Sequence, residues 1–269
     1  MSKRNWIKAF APLDRQRLLQ TAAESVNWIE QYGHVDGDVE SWDVMPGKQV
    51  EKDALLLDDA SLYAGAAGIA LLYLKYYVAT EQEKYLRKAE AGIRYVIRKY
   101  RGKEDFATEV PFLQGAYIGY LNGPAGGAYV AKELYKITGE ERYKQFALTV
   151  ADDAIEAAKD EQGALTWLGE GGLILFLLDI YNTFGGDKYL DAAAKAAKYI
   201  ADRKEDAPQG GYRWYVMDTE TFPTIGKAGG YFPGFEYGAA GCGYILASVY
   251  EQTHQEEYLD IAKKAAQYI

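Results

Sequence analysis

The chain is poor in the residues that thiol and metal chemistry need. It has one cysteine, Cys242, and two histidines, His34 and His254, in 269 residues. A single thiol excludes an internal disulfide and the structural zinc sites built from several thiolates. Positive charge is also in deficit, with 30 Lys+Arg against 39 Asp+Glu and a net charge of −9. That balance argues against a nucleic-acid partner, which requires a positive surface, and against attraction to anionic lipid. Long hydrophobic runs are missing. The best, Leu173–Leu178, is far too short to span a bilayer. Met1 to Pro12 carries basic residues but no apolar core of a secretory signal. The expectation is a soluble, cytoplasmic protein with no nucleic-acid or membrane partner. What is abundant is apolar and aromatic: 49% hydrophobic residues and 14% aromatic, including 24 tyrosines. A chain of this length and composition can bury a sizeable core.

The strongest signal is internal repetition. Four G-x-x-G tetrads, Gly65–Gly68, Gly123–Gly126, Gly169–Gly172 and Gly238–Gly241, share one downstream pattern. Counting from the last glycine of each, tyrosine stands at +17 every time (Tyr85, Tyr143, Tyr189, Tyr258). Alanine stands at +21 every time (Ala89, Ala147, Ala193, Ala262), and +12 is Thr80, Thr138, Phe184 or Thr253. A fifth tetrad, Gly226–Gly229, lacks the pattern and reads as loop. The spacings of 58, 46 and 69 residues place the length variation in the loops before each unit. Repeats of this size form arrays in which each unit buries its faces against its neighbours.

Each unit reads as a helical hairpin. An apolar helix follows the glycines (Ile69–Ala79, Gly127–Ile137, Leu173–Phe184, Gly243–Gln252), then a polar turn, then an amphipathic helix. In Tyr189–Ile200 the apolar positions recur at helical spacing and the lysines fall between them. So each pair has one buried inner helix and one half-exposed outer helix. The expected fold is an all-α toroid, one domain over 1–269. A leading outer helix over 12–32 precedes hairpins at 61–100, 119–158, 166–203 and 236–269. Only Gly211–Val216 hints at a strand. Glycine lets helix N-termini converge, and those termini present free N–H groups and partial positive charge.

A ring of hairpins with G-x-x-G at the start of each inner helix resembles the lanthionine synthetase C-like family. The resemblance covers Leu62 to Ile269 and is carried best by Gly234–Tyr244 and Tyr120–Gly126. It implies a double α-toroid. It also implies, for the cyclase members, zinc held by two cysteines and a histidine in later repeats, and addition of peptide cysteine thiolates to dehydroalanine or dehydrobutyrine. The metal would lower the thiol pKa and supply a thiolate. This chain departs from that pattern. Tyr237, after Glu236, stands just before a tetrad, where cyclases carry a functional His in one repeat and Cys-His or Cys-Tyr in later ones. Cys242 follows its tetrad and reads as a small buried residue. No zinc triad can be assembled, so no metal or other cofactor is expected in this chain, and zinc only if later repeats are missing. Four hairpins and one lone helix fall short of a closed toroid. The favoured reading is the N-terminal part of a longer chain, and the alternative is a shortened, divergent member.

The candidate site residues lie at the tetrad ends. Glu236, Tyr237 and Glu170 are the catalytic candidates, as acid, base or hydrogen-bond donor. Asp59, Tyr63, Asn122, Trp167 and Trp214 are the substrate-binding candidates, with Asp58, Tyr231 and Phe232 nearby in pattern. Carboxylates in an apolar, aromatic cavity can do acid/base work; equally, Asp58, Asp59 and Glu170 can serve as helix caps. The aromatic insert Ala207–Phe235 can overhang the cavity as a lid. His34–Glu40 has calcium-like oxygen spacing but reads as a solvated loop. Three functions stay open: a thioether-forming peptide cyclase or a relative without zinc ligands, a glycan-processing toroid using a carboxylate pair, and a toroid that binds a peptide or small molecule without catalysis. The oligomeric state is not legible.

Overall fold

A computed structural model describes residues 14–43, 59–106, 118–158, 170–215, 230–236 and 238–269. The element order begins with helix α1 (Arg15–Ile29) and the hairpin β1 (Gly33–Asp36) and β2 (Val39–Trp42). Four helix pairs follow: α2 (Ala66–Thr80) with α3 (Glu83–Lys99), α4 (Pro124–Thr138) with α5 (Glu141–Ala157), α6 (Glu170–Phe184) with α7 (Asp187–Asp202), and α8 (Ala239–Thr253) with α9 (Glu256–Tyr268). A two-residue ladder, β3 (Glu205–Asp206) with β4 (Tyr212–Arg213), lies between the last two pairs. Within each pair the helices pack along their length, and inner helices meet in the order α2, α4, α6, α8. The outer helices α3, α5 and α7 each also lean on the inner helix of the next pair. This is the stacked-hairpin arrangement expected from the repeats.

The recurrent residues have physical explanations. At the last glycine of a tetrad, an added Cβ would strike the carbonyl oxygen of the residue six positions earlier. The clash is 2.3 Å at Gly68 with Leu62, 2.3 Å at Gly126 with Tyr120, and 2.0 Å at Gly241 with Phe235. The turn before α2, α4 and α8 therefore folds back over the helix's first turn, and only a residue without Cβ admits it. Helices start at the tetrad, earlier than apolar periodicity predicts, because Gly65, Gly123 and Gly238 are themselves the N-caps. The recurring tyrosine ties neighbouring pairs together. Tyr143 Oη donates to Glu90 of α3 (3.2 Å), Tyr189 Oη to Asp152 of α5 (3.0 Å), and Tyr258 Oη to the Ala194 carbonyl of α7 (3.3 Å). At +12, Thr80, Thr138 and Thr253 each donate to the carbonyl one turn back, and the next residue turns left-handed to stop the helix: Glu81, Gly139, Gly185 and His254.

One loop expectation changes. His34–Glu40 is not a solvated loop, because a two-residue turn with Gly37 at φ 64° makes it a β-hairpin. Its oxygens face cations of α3: Asp36 with Arg98 (2.9 Å), Asp38 with Arg94 (3.1 Å) and Glu40 with Lys88 (2.7 Å). Period-two alternation over four residues is too short to announce a strand. The described start of the aromatic insert is seated on the outer shell. Gly211 lies against the backbone of Lys264 and Tyr268, and Lys264 donates to Tyr212 Oη at 3.1 Å. Residues 216–229, and with them the fifth tetrad, lie outside the described residues.

Candidate functional site

The tetrad ends converge. The Tyr63 N–H donates to the Leu121 carbonyl at 2.9 Å, joining the turns before α2 and α4, and Leu62 wedges against Gly126. Tyr120 stands edge-on to Tyr129 of α4 (centroids 5.5 Å) and to Phe176 of α6 (5.9 Å). Its hydroxyl is pushed well above the ordinary tyrosine range by burial, then by Asp179, Tyr129, Glu133 and Tyr244, which places groups of α4, α6 and α8 around one ring. Phe235 meets Tyr244 on the first turns of α8, with centroids 5.3 Å apart.

Below this aromatic rim the inner helices present a charged layer. Counted again from the last glycine of each tetrad, +7 is Lys75, Glu133, Asp179 and Ser248. Lys75 Nζ lies 3.8 Å from Glu133, bridging α2 to α4. Lys132 Nζ, whose side chain is only 3% exposed, lies 2.7 Å from Glu133 Oε1 and 2.8 Å from both oxygens of Asp179, bridging α4 to α6. Only Asp179 Oδ1 is aligned as an acceptor, and buried Oδ2 receives no hydrogen bond. Lys136 donates to Glu133 at 3.2 Å, and the Tyr129 ring lies 4.6 Å from Lys132 Nζ. The layer above, at +3, is Leu71, Tyr129, Leu175 and Tyr244. On the side that the inner helices share, the lumen of the hairpin array, tyrosines of α4 and α8 thus stand one turn from a lysine–carboxylate layer of α2, α4 and α6.

Burial disfavours the charge on Glu133, yet Lys132, by hydrogen bond and charge, and then Lys136 outweigh it and hold the carboxyl below the usual range. A depressed folded-state pKa contributes stability that is present above the ordinary glutamate pKa, about 4.3, and is lost as pH falls through the folded value. Acid titration of the unfolding midpoint is expected to fall below about pH 4.3, with a shallower fall in Glu133→Gln. Equal slopes for both proteins would place the titrating group elsewhere.

Among the sequence candidates, Asn122 is buried beside this site, and neither its Oδ1 nor its Nδ2 has a hydrogen-bond partner. Tyr63 is 63% exposed, and Glu236, its counterpart five residues before the last tetrad glycine, is also exposed. Glu170 is the first residue of α6. Trp167, Tyr237 and Asp58 lie outside the described residues. Asp59 is drawn to the outer shell, where Tyr95 Oη (2.7 Å) and Lys99 Nζ (2.7 and 2.9 Å) occupy its oxygens. It lies beside a cleft of about 360 Å³, lined by Lys99, Tyr100, Arg101 and Phe146. Trp214 is corrected. It is fully buried and donates its indole N–H to the Ile200 carbonyl at 2.8 Å, so it anchors the insert to α7 and offers no stacking face. Lys132, Glu133 and Asp179 were not found from sequence, because the segments that hold them read as apolar inner helices in which no charged partner was sought. The available signal was the +7 register, which sets a charge at the same place in three of the four inner helices, with Lys132 one position before it in α4.

The zinc site implied by the family's cyclases does not fit the described residues. Burial pushes the Cys242 thiol up to about 12, opposite to what a thiolate ligand requires. His34 pairs with Asp43 on the β1–β2 hairpin, and His254 caps the far end of α8. Among the described residues no three His, Cys, Asp or Glu side chains converge.

The lanthionine synthetase C-like protein family model matches residues 57–269. The chain belongs to that family. A search of curated protein sequences gives no match. Among solved structures, nisin cyclase superposes with a TM-score of 0.57 at 18% identity, over 79% of this chain and 58% of that one. The cellobiose 2-epimerase of Bacillus thermoamylovorans aligns at TM-score 0.55 and 12% identity, over 93% and 70%. The GH76A alpha-1,6-mannanase of a Salegentibacter species aligns at 0.52 and 16%, over 94% and 70%. At these identities the structures establish the α/α-toroid fold. No helix among the described residues is long and apolar enough to cross a membrane.

Proposed function

We propose that this lanthionine synthetase C-like chain binds a peptide in the lumen of its inner helices, and that its described residues supply recognition rather than bond-making. The observation that carries this reading is the joining of α2, α4 and α6 by one lysine–carboxylate layer, buried at Lys132 and open to solvent at Lys75 and Lys136, beside the exposed Tyr244. An amphipathic wall of this kind gives apolar contact area with a few fixed polar groups, which is what a ligand site needs. Peptide is chosen because the family's cyclases act on peptides. Thioether formation needs an activated thiolate, and neither Cys242 nor the two histidines provide for one here.

The glycan-processing alternative needs a carboxylic acid that keeps its proton at neutral pH. Glu133 is held ionised by two lysines, and Asp59 is occupied by Lys99 and Tyr95. On these two carboxylates lumenal binding is the better supported reading, and Glu170 and Glu236 stay the candidates of the glycan reading.

An amide NMR titration with short capped peptides of neutral, acidic and basic composition tests it. Shifts are expected at Tyr129, Glu133, Asp179 and Tyr244 for at least one peptide. Shifts confined to the outer helices, or none, would overturn the proposal.

A further inference from the structure

We infer that the lumen selects peptides through a carboxylate on an aliphatic stem, docked between Lys75 and Lys136; this rests on the lumenal-binding reading above. The charged layer is unbalanced. Three ammonium groups, those of Lys75, Lys132 and Lys136, surround two carboxylates, Glu133 and Asp179, which leaves one positive charge in excess.

The excess sits on particular residues. Lys132 is buried and spends its donors on both acids at 2.7–2.8 Å. Glu133, already served by Lys132, holds Lys136 at 3.2 Å and Lys75 at only 3.8 Å. Those two side chains remain 54% and 58% exposed. Glu133 thus works as a tether that draws a lysine from α2 and a lysine from α4 toward one point, while most of each ammonium group's hydrogen-bonding capacity stays open.

The surroundings suit an acid with an apolar stem. Val78, one turn beyond Lys75, is 60% exposed, and Ile137, one turn beyond Glu133, is 40% exposed. Exposed aliphatic side chains beside paired ammonium groups match a glutamate side chain better than a bare anion. The rest of the chain strengthens the selection. A net charge of −9 repels acidic peptides in general, so the locally positive Lys75–Lys136 cluster is the place where such a ligand is attracted.

The probes are short all-glutamate and all-glutamine peptides, both capped at each end, and an all-glutamine peptide with a free C-terminus. Binding is followed by the same lumen amide shifts at low ionic strength. The capped glutamate peptide is expected to bind about fivefold more tightly than the capped glutamine peptide, the magnitude of two partly exposed ion pairs. Raised salt is expected to erase the difference. In Lys75→Met/Lys136→Met the two capped peptides are expected to bind alike, and in Lys75→Glu/Lys136→Glu an all-lysine peptide should be preferred. A gain limited to the free C-terminus would overturn the side-chain assignment, and equal binding of capped glutamate and glutamine by the unaltered chain would overturn the carboxylate site. In both cases the lumen amides still move and lumenal binding stands. If no peptide moves them, the underlying reading falls with this one.

Discussion

Gly126→Ala is expected to destabilise the chain by about 3 kcal/mol or more, among the largest effects of any single methyl group in this protein. The added Cβ would lie 2.3 Å from the Tyr120 carbonyl oxygen and 2.5 Å from Leu62 Cβ, so it meets two neighbouring turns at once. Neither can yield cheaply. The Tyr120 carbonyl belongs to the turn that positions Asn122, and Leu62 is next to Tyr63, whose N–H is bonded to Leu121. The neighbouring Gly127 is the control. A Cβ there would meet only the Val96 side chain, Cγ1 at 2.7 Å and Cβ at 3.9 Å, and no backbone atom, so the strain falls on one side chain of α3 and not on two turns. Urea unfolding should therefore rank Gly126→Ala well below Gly127→Ala in stability. If the two midpoints coincide, the glycine is not there for the close approach of the turn.

Lys132→Met is expected to cost about 3 kcal/mol, at the low end for breaking a buried pair because Asp179 retains some solvent contact. The lysine is 2% exposed and bridges α4 to α6, and its removal leaves two carboxylates facing each other across the joint. Adding Asp179→Leu should recover a large part of the loss, since replacing both partners by apolar groups removes the unpaired charge. A double variant no more stable than the single one would show that Asp179 is satisfied without Lys132. The same pair separates folding from binding. If the double variant folds but its lumen amides no longer respond to peptide, the charged layer serves recognition as well as packing.

Much of the architecture was legible because it repeats. The tetrad glycines and the tyrosine at +17 each answer a local requirement, a fold-back turn and a tie to the previous pair. The same requirement recurs wherever a hairpin is stacked. The β1–β2 hairpin was illegible for the opposite reason. Its carboxylates are specified by Lys88, Arg94 and Arg98, residues far along the chain that no window around Asp36 contains. Trp214 misled because an aromatic beside glycines looks the same whether it walls a cavity or anchors a loop.

Read alone, the chain determined the all-α hairpin array, the end at which the inner helices converge and the poverty of metal ligands, because periodicity, glycine spacing and ligand counts are properties of one dimension. Only the tertiary structure decided which charges meet. Lys75, Lys132, Glu133 and Asp179 come from three different helices, and Lys132 is 47 residues from the aspartate it pairs with. Coulomb attraction at 2.8 Å depends on where helices are placed around a lumen, and helix placement is set by the packing of apolar faces that say nothing of the charges between them.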